Sequence, residues 1–228
     1  FLCPLHHHSL TAPNLWHDCY GISIVPCWLY ADAWFLLSLL FGNGMAETPL
    51  RIMGLSGSYG KSSKNGMLVE LALKKAKELG AEISFWDLTE QPLPLVGADG
   101  SWSDPNTKKF QEEASNCDGF LVSSPEYHGT MSGVMKNTFD WVYEKHVGGK
   151  IFGLMSTLGG MENSNTLNHM RIMVRWLHGI AVTQQLAIGH VKDAFDEEGN
   201  LIDEDSDRRL QSLVESVLTT AELYRNTQ

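Results

Sequence analysis

The chain has 228 residues, with 17 Lys and Arg against 27 Asp and Glu, and a formal net charge of −10. So acidic a chain is poorly suited to neutralising the phosphates of a nucleic acid, and its length suits one globular domain or one domain with an appendage. Composition divides it near Met45: residues 1–44 hold no Lys or Arg and two acids, Asp18 and Asp32, whereas all 17 basic residues lie from Arg51 onward.

The head carries Cys3, Cys19 and Cys27, the run His6-His7-His8, and Trp16, Trp28 and Trp34. It lacks both the basic n-region of a secretory signal and the Arg- and Ser-rich make-up of a transit peptide. Its apolar stretch, Trp34 to Phe41, is far shorter than the ~20 residues that span a bilayer. The expectation is therefore a non-native or disordered extension over 1–44, a natural start at Met45, and one domain over 45–228. A real membrane-associating extension is the alternative. The histidine run resembles a metal tract only superficially, and no metal site is expected. Only Cys117 remains in the main body, so no disulfide framework can form there, and a reducing cytoplasm is the expected compartment. Cys117 reads as a small buried apolar residue rather than a nucleophile.

From Leu50 the chain alternates short apolar runs with helical patterns. Leu50–Leu55 is the first expected strand, followed by the small polar loop Ser56–Ser63. Leu68, Leu71, Ala72, Ala76 and Leu79 then recur at helical spacing, and Gly80 is a stop signal. Ile83–Leu88 reads as the second strand, and the Pro- and Gly-rich stretch from Pro92 to Pro105 as a long loop. A short helix over Pro105–Asn116 leads to a third strand at Gly119–Ser123. Beyond a second loop, Met135, Thr138, Phe139 and Val142 mark one helix face. Lys150–Met155 is the fourth strand, Leu167, Met170, Val174 and Leu177 define another helix, and Val182–Ile188 is a fifth strand interrupted by Thr183-Gln184-Gln185. Trp141 and Trp176 fall near these helical stripes and read as packing residues. The acidic run Asp193–Asp207 reads as a solvated loop before a final helix with Leu210, Leu213, Val214, Val217, Leu218 and Ala221 on one face. Five strands alternating with helices imply a parallel sheet covered on both faces.

Ligands of such sheets collect beyond the carboxyl ends of the strands. The loop after the first strand, Ser56-Gly57-Ser58-Tyr59-Gly60-Lys61-Ser62-Ser63-Lys64-Asn65, is built of small residues and hydroxyls ahead of a helix N-terminus, which suits a phosphate; an ordinary capped turn is the bland alternative. It narrowly misses G-x-x-x-x-G-K-[ST], since Leu55 stands where the first Gly belongs. It also misses G-x-G-x-x-G, offering Gly54, Gly57 and Gly60 instead. Asp87 after the second strand could serve either motif, as a magnesium ligand or on a ribose.

The third strand ends in Ser124-Pro125-Glu126-Tyr127-His128-Gly129, followed by Met131-Ser132-Gly133-Val134-Met135-Lys136-Asn137-Thr138-Phe139-Asp140-Trp141. This resembles the NADPH-dependent FMN reductase family, whose pattern there is S-P-E-Y-N-G ahead of a helix with K-N and D-W. Lys136-Asn137 and Asp140-Trp141 match, and His128 stands in place of Asn. The family's phosphate loop, G-S-x-R-x-x-S-x-N, is matched at Ser58, Ser63 and Asn65, with Gly60 in place of Arg and Lys61 or Lys64 as substitutes for its charge. Ser156-Thr157-Leu158-Gly159-Gly160 is similar to the family's Gly-rich turn. The resemblance extends from about Leu50 to Tyr224.

It implies a flavodoxin-like α/β fold, a three-layer sandwich around a five-stranded parallel sheet of order 2-1-3-4-5. FMN is the implied cofactor, with NADPH or NADH as hydride donor. Ser58, Ser63, Lys64 and Asn65 would hold its phosphate, and Pro125, Glu126, Tyr127, His128 and Gly129, with Ser156, Gly159 and Gly160, would hold its ring. No catalytic acid or base is nominated, because hydride transfer needs orientation rather than a protein nucleophile. Glu126 reads as a hydrogen-bonding or helix-orienting carboxylate rather than a base. His128 either donates to a flavin or substrate oxygen or merely tolerates its turn. The implied function is passage of hydride from NAD(P)H through FMN to a quinone, an azo compound, a metal oxyanion or free flavin, by a homodimer or homotetramer. An electron carrier of the flavodoxin type, or a nucleotide-binding protein of the Walker or Rossmann kind, would be the alternatives.

Overall fold

The structure is a computed structural model that describes residues 48–60 and 62–227. The expectations for residues 1–44, and for Lys61 as a source of charge, lie outside the described residues. Five parallel strands form the sheet: β1 (Arg51–Ser56), β2 (Glu82–Trp86), β3 (Gly119–Tyr127), β5 (Ile151–Thr157) and β6 (Ile180–Ile188), in the order β2-β1-β3-β5-β6. A two-residue strand, β4 (Thr130–Met131), pairs antiparallel with the end of β3. Counting the parallel strands alone, the order is the 2-1-3-4-5 of the flavodoxin-like fold.

Helix α1 (Lys64–Glu78) starts where the Ser63 hydroxyl oxygen accepts from the Gly66 amide, and ends at Leu79 with Gly80 just beyond. Helix α2 (Pro105–Ser115) has Pro in its first turn and Asp104 accepting from the amides of Asn106 and Thr107, which together specify a helix start. Next come α3 (Gly133–Asp140), the single turn α4 (Glu144–Val147), α5 (Asn165–Trp176) and α6 (Glu204–Arg225). Apolar residues cover both faces of the sheet, as a parallel sheet requires. One core joins Met53, Leu55, Val122, Phe152 and Leu154 to Phe110, Phe139, Leu167 and Met170. The other joins Ile52, Leu121, Ile151 and Met155 to Leu68, Ala72, Leu210, Leu213 and Val217.

Four expectations need correction. β3 continues through Tyr127 because Ser124 and Pro125 pair with Ser156 and Thr157 of β5, so most of the expected loop is strand. The acidic run is not simply a solvated loop: Phe195 and Leu201 are buried and bridge each other, and Glu204, Asp205 and Asp207 form the first turn of α6. Carboxylates there complement the positive end of the helix. Trp141 is fully buried as expected, whereas Trp176 is 80% exposed at the end of α5.

Finally, the polar interruption of β6 is a bulge. Phe152 pairs with Ala181 but Leu154 with Gln185, so Val182, Thr183 and Gln184 oppose the single residue Gly153. The Arg171 guanidinium donates to the carbonyls of Val182 and Thr183 and to the Gln185 side chain, and Ser216 donates to Gln184. Polar residues stand there because the bulge leaves backbone groups that the ladder cannot satisfy.

Candidate functional site

Three loops meet at the carboxyl ends of β1, β3 and β5. The first is sewn to β3 by hydrogen bonds. The Gly57 amide donates to the Ser123 carbonyl at 2.7 Å, and its carbonyl accepts from the Ser132 hydroxyl at 2.6 Å. Ser132 also caps α3, its oxygen accepting from the Met135 amide, while its own amide donates to Ser124. A Cβ at Gly57 would lie 2.9 Å from the hydroxyls of Ser124 and Ser132 and 3.0 Å from the Ser124 Cα. Only a bare backbone approaches β3 this closely.

Asn65 is buried, and both ends of its amide are engaged: Oδ1 accepts from Ser123 Oγ at 2.8 Å, and Nδ2 donates to Ser58 Oγ at 3.2 Å. It therefore fixes the loop from beneath and leaves the Ser58 hydroxyl proton to donate elsewhere. Ser63 caps α1, which has no acid in its first turn, so nothing there offsets the positive end of the helix. Lys64 places its ammonium 5.2 Å from the Phe195 ring centroid. Gly60 has φ +77, and its carbonyl accepts from the Ser63 amide. An Arg at this position would be strained, so the loop takes a turn here that replaces the family's side chain with backbone.

The second loop is a hairpin. Glu126 pairs with Met131 and Tyr127 with Thr130, leaving His128 (φ 53) and Gly129 (φ 80) as its two turn residues. Positive φ at both is what a type I′ turn demands, and Asn-Gly is its preferred sequence. The replacement of Asn by His is thus a substitution within a turn requirement, and His128 is exposed at its tip. Tyr127, one residue earlier, is 57% exposed.

Glu126 fastens this hairpin to α5. Its carboxylate accepts from Asn163 Nδ2 at 2.9 Å, from the Thr166 amide at 3.3 Å and from the Thr166 hydroxyl at 3.2 Å. Burial pushes its pKa up, but the bonds from Asn163 and Thr166 outweigh this and hold it below the usual carboxylate value. It serves as the orienting group expected from its place in the turn. His169 Nδ1 and Thr130 Oγ1, 2.7 Å apart, add a second tie.

The third loop follows β5, which runs through Thr157. Ser156, expected in the loop, is therefore a buried strand residue paired with Ser124 and Ala187, and its hydroxyl has no hydrogen-bond partner among the described residues. Beyond it, the Leu158 amide donates to Ile188 and the Gly160 carbonyl accepts from the His190 amide at 2.7 Å. Gly159 and Gly160 are exposed, neither has positive φ, and a Cβ on either would meet nothing within 4 Å. Nothing among the described residues calls for glycine at these two positions.

Residues that sequence reasoning left out include Ser123, Ser124 and Ser132, which join the first two loops. Ser123 and Ser124 were signalled by hydroxyls where an apolar strand ends, and Ser124 also by the family pattern, whereas Ser132 gave only a helix-cap signal. Asn137, noted only as a match, and Trp141, also read as a packing residue, act elsewhere: Asn137 accepts from the Val96 amide and donates to the Pro94 carbonyl, which also accepts from Trp141 Nε1 at 2.8 Å. They pin the long loop after β2. Asp87 is buried and closes the turn after β2 by accepting from the Thr89 amide and hydroxyl. Cys117 is buried with its pKa raised to about 11, by desolvation above all, which fits an inert packing residue.

The sequence profile of the NADPH-dependent FMN reductase family matches residues 50–193. An FMN-dependent NADPH-azoreductase of Staphylococcus aureus is 31% identical over 161 residues, covering 68% of this chain and 86% of the relative. Among solved structures, the flavoenzyme NAD(P)H:(acceptor) oxidoreductase FerB of Paracoccus denitrificans superposes with a TM-score of 0.64 at 21% identity, over 77% of this chain and 98% of that one. A flavodoxin from the domain Archaea superposes at 0.52 and 11% identity, over 77% and 99%. The fold alone is thus shared with carriers, and the sequence match decides between them. Spanning most of the sheet and all three loops, that match makes the chain a member of the NADPH-dependent FMN reductase family, an oxidoreductase that uses FMN with NAD(P)H as its donor.

Proposed function

We propose that the three loops form the FMN site, with the phosphate at the N-terminus of α1 and the ring between the Tyr127 hairpin and the Gly159-Gly160 turn. Ser58 and Ser63 would donate to the phosphate, Lys64 would add positive charge nearby, and Asn65 would hold Ser58 in place. The backbone from Pro125 to Gly129 would border the ring, with Tyr127 against it and Glu126 fixing the hairpin. Gly159 and Gly160 would let backbone approach its other edge, and Ser156 would support the start of that turn. The observation that carries this reading is the pair of exposed glycines that no described residue requires, beside two loops tied together through Gly57, Asn65, Ser123 and Ser132. A flat ligand lying on the turn gives them a reason.

FMN held there would supply the redox chemistry that links NAD(P)H to the acceptor. The protein positions both partners and excludes competing reactions. The acceptor is proposed to be a quinone, an azo compound, a metal oxyanion or free flavin. A homodimer or homotetramer is the proposed state, supported by Ile172 and Trp176, which stand 64% and 80% exposed on α5. No described helix is long and apolar enough to cross a membrane. A cytoplasmic location is proposed from Cys117, the lone thiol of the body, which stands unbridged.

An absorption spectrum of the purified protein, followed by stopped-flow mixing with NADPH and NADH, tests the reading. Yellow protein whose colour bleaches on mixing is the expected result. Colourless protein that fails to take up added FMN would refute the site, and bound flavin that neither nucleotide reduces would refute the reductase.

A further inference from the structure

Next to the Gly159-Gly160 turn lies a second concavity that none of the loop assignments uses. It is an open cleft of about 620 Å³ between the end of β6, the turn that follows it and the start of α6, within the size range of small-molecule sites. Its floor is apolar, formed by the buried Ile188 and Leu201 with Ala194. At its mouth stand Met161, 80% exposed, and Ile202, 61% exposed, two large apolar side chains left in water. Both groups make the cleft suited to an apolar frame of a few rings.

Its charge is one-sided. Glu162, Asp193 and Asp203 line it, and neither Lys nor Arg does; His190 is the only basic side chain among the lining residues. Asp203 is committed to the cap of α6, accepting from the amide and hydroxyl of Ser206. The Glu162 and Asp193 carboxylates accept no hydrogen bond from the described residues. An anion entering this cleft would meet uncompensated negative charge, and a cation would relieve it.

The cleft also adjoins the turn proposed to border the flavin. Met161 and Glu162 directly follow Gly159-Gly160, and the His190 amide holds the Gly160 carbonyl. A Cβ at Gly189 would come within 2.6 Å of the Glu162 amide nitrogen and 2.9 Å of the Gly160 carbonyl oxygen, so the two segments form one wall. We propose that this cleft is an acceptor subsite, and that it selects acceptors carrying a positive charge on an apolar ring frame. The proposal rests on the reductase reading above, which supplies the neighbouring redox site. For a quinone of this kind the overall change is quinone plus NAD(P)H plus a proton giving hydroquinone plus NAD(P)⁺, with two electrons transferred.

Two measurements on the full-length protein test it. Calorimetric titration with phenyltrimethylammonium, which cannot be reduced, should show saturable binding, whereas benzenesulfonate should not bind. Glu162→Gln combined with Asp193→Asn should weaken the cation by about tenfold, since two exposed charges are removed together. In turnover, a benzoquinone bearing a trimethylammonium group should exceed its sulfonate analogue in kcat/KM by at least about tenfold. That ratio should fall toward one in the double variant, with neutral benzoquinone unchanged. Equal binding of the cation by both proteins, or a charge preference that survives the substitutions, would overturn the cleft. The titration does not depend on turnover, so the two readings fail separately. Protein that binds the cation but oxidises no NAD(P)H refutes the reductase, and with it the acceptor role, while the cation site stands; protein that reduces benzoquinone but binds no cation refutes the cleft alone.

Discussion

The two walls of the crevice are built on opposite plans. Toward β1 and β3, every close approach is specified by the protein: Gly57 is wedged against Ser124 and Ser132, and Asn65 is bonded at both ends of its amide. Toward β5, Gly159 and Gly160 face open space, and the turn is held from behind by His190. A rigid wall fixes where a ligand sits at no cost on binding, while an open wall leaves room for the ligand itself to complete the packing. The stability of the protein should therefore depend on the first wall, and its cofactor affinity on both.

Substitutions can break that contrast. Gly57→Ala should have the largest effect, about 3 kcal/mol of lost stability by overpacking against backbone as well as side chains, read as a lowered urea midpoint with FMN uptake lost in parallel. Asn65→Leu should cost about 2 kcal/mol, because the buried Ser123 hydroxyl loses its acceptor, and should weaken FMN binding as Ser58 loosens. Gly159→Ala should do the reverse, with stability changed by no more than about 0.5 kcal/mol while FMN affinity, followed by flavin fluorescence, drops. Equal losses of stability at Gly57 and Gly159 would erase the distinction.

Acid titration sharpens it further. The folded-state pKa of Glu126 is depressed, so its contribution to stability is present above the unfolded carboxylate value and is lost as pH falls through the lower folded value. Hydrogen exchange at the hairpin should accordingly stay slow at mildly acidic pH and rise only below the usual carboxylate range. Glu126→Gln should abolish that acid transition. The smallest effect belongs to the turn. His128→Asn should stabilise the hairpin by roughly 0.5 kcal/mol, with little change in FMN affinity if His128 only fills a left-handed position; a large fall in affinity would make it a ligand contact.

Legibility in the sequence followed how local each cause was. The parallel strands and helices could be read because their apolar periodicity and capping residues are local. Hairpin formation by Ser124 to Met131 was less visible, since β3 is prolonged by pairing with β5, a partner more than twenty residues away. His-Gly does carry the turn chemistry of Asn-Gly, but proline just upstream spoke for a loop. Asn65 was legible as a site residue by resemblance, yet its bonding to Ser123 depends on a crossover that brings β1 beside β3. The double role of Ser132, as helix cap and as donor to Gly57, likewise arises only once two loops meet. Trp176 looked like a core residue because it follows the α5 stripe, but one step of helical rotation places it outside.

The bulge in β6 has a consequence for how copies of this chain can meet. β6 is an outer strand, and unpaired outer strands invite another molecule to extend the sheet. Here the register break falls within that strand, and the Arg171 guanidinium holds the Val182 and Thr183 carbonyls at the bulge. An incoming strand would meet a border whose own register is broken partway along, which disfavours extension of a regular sheet from β6.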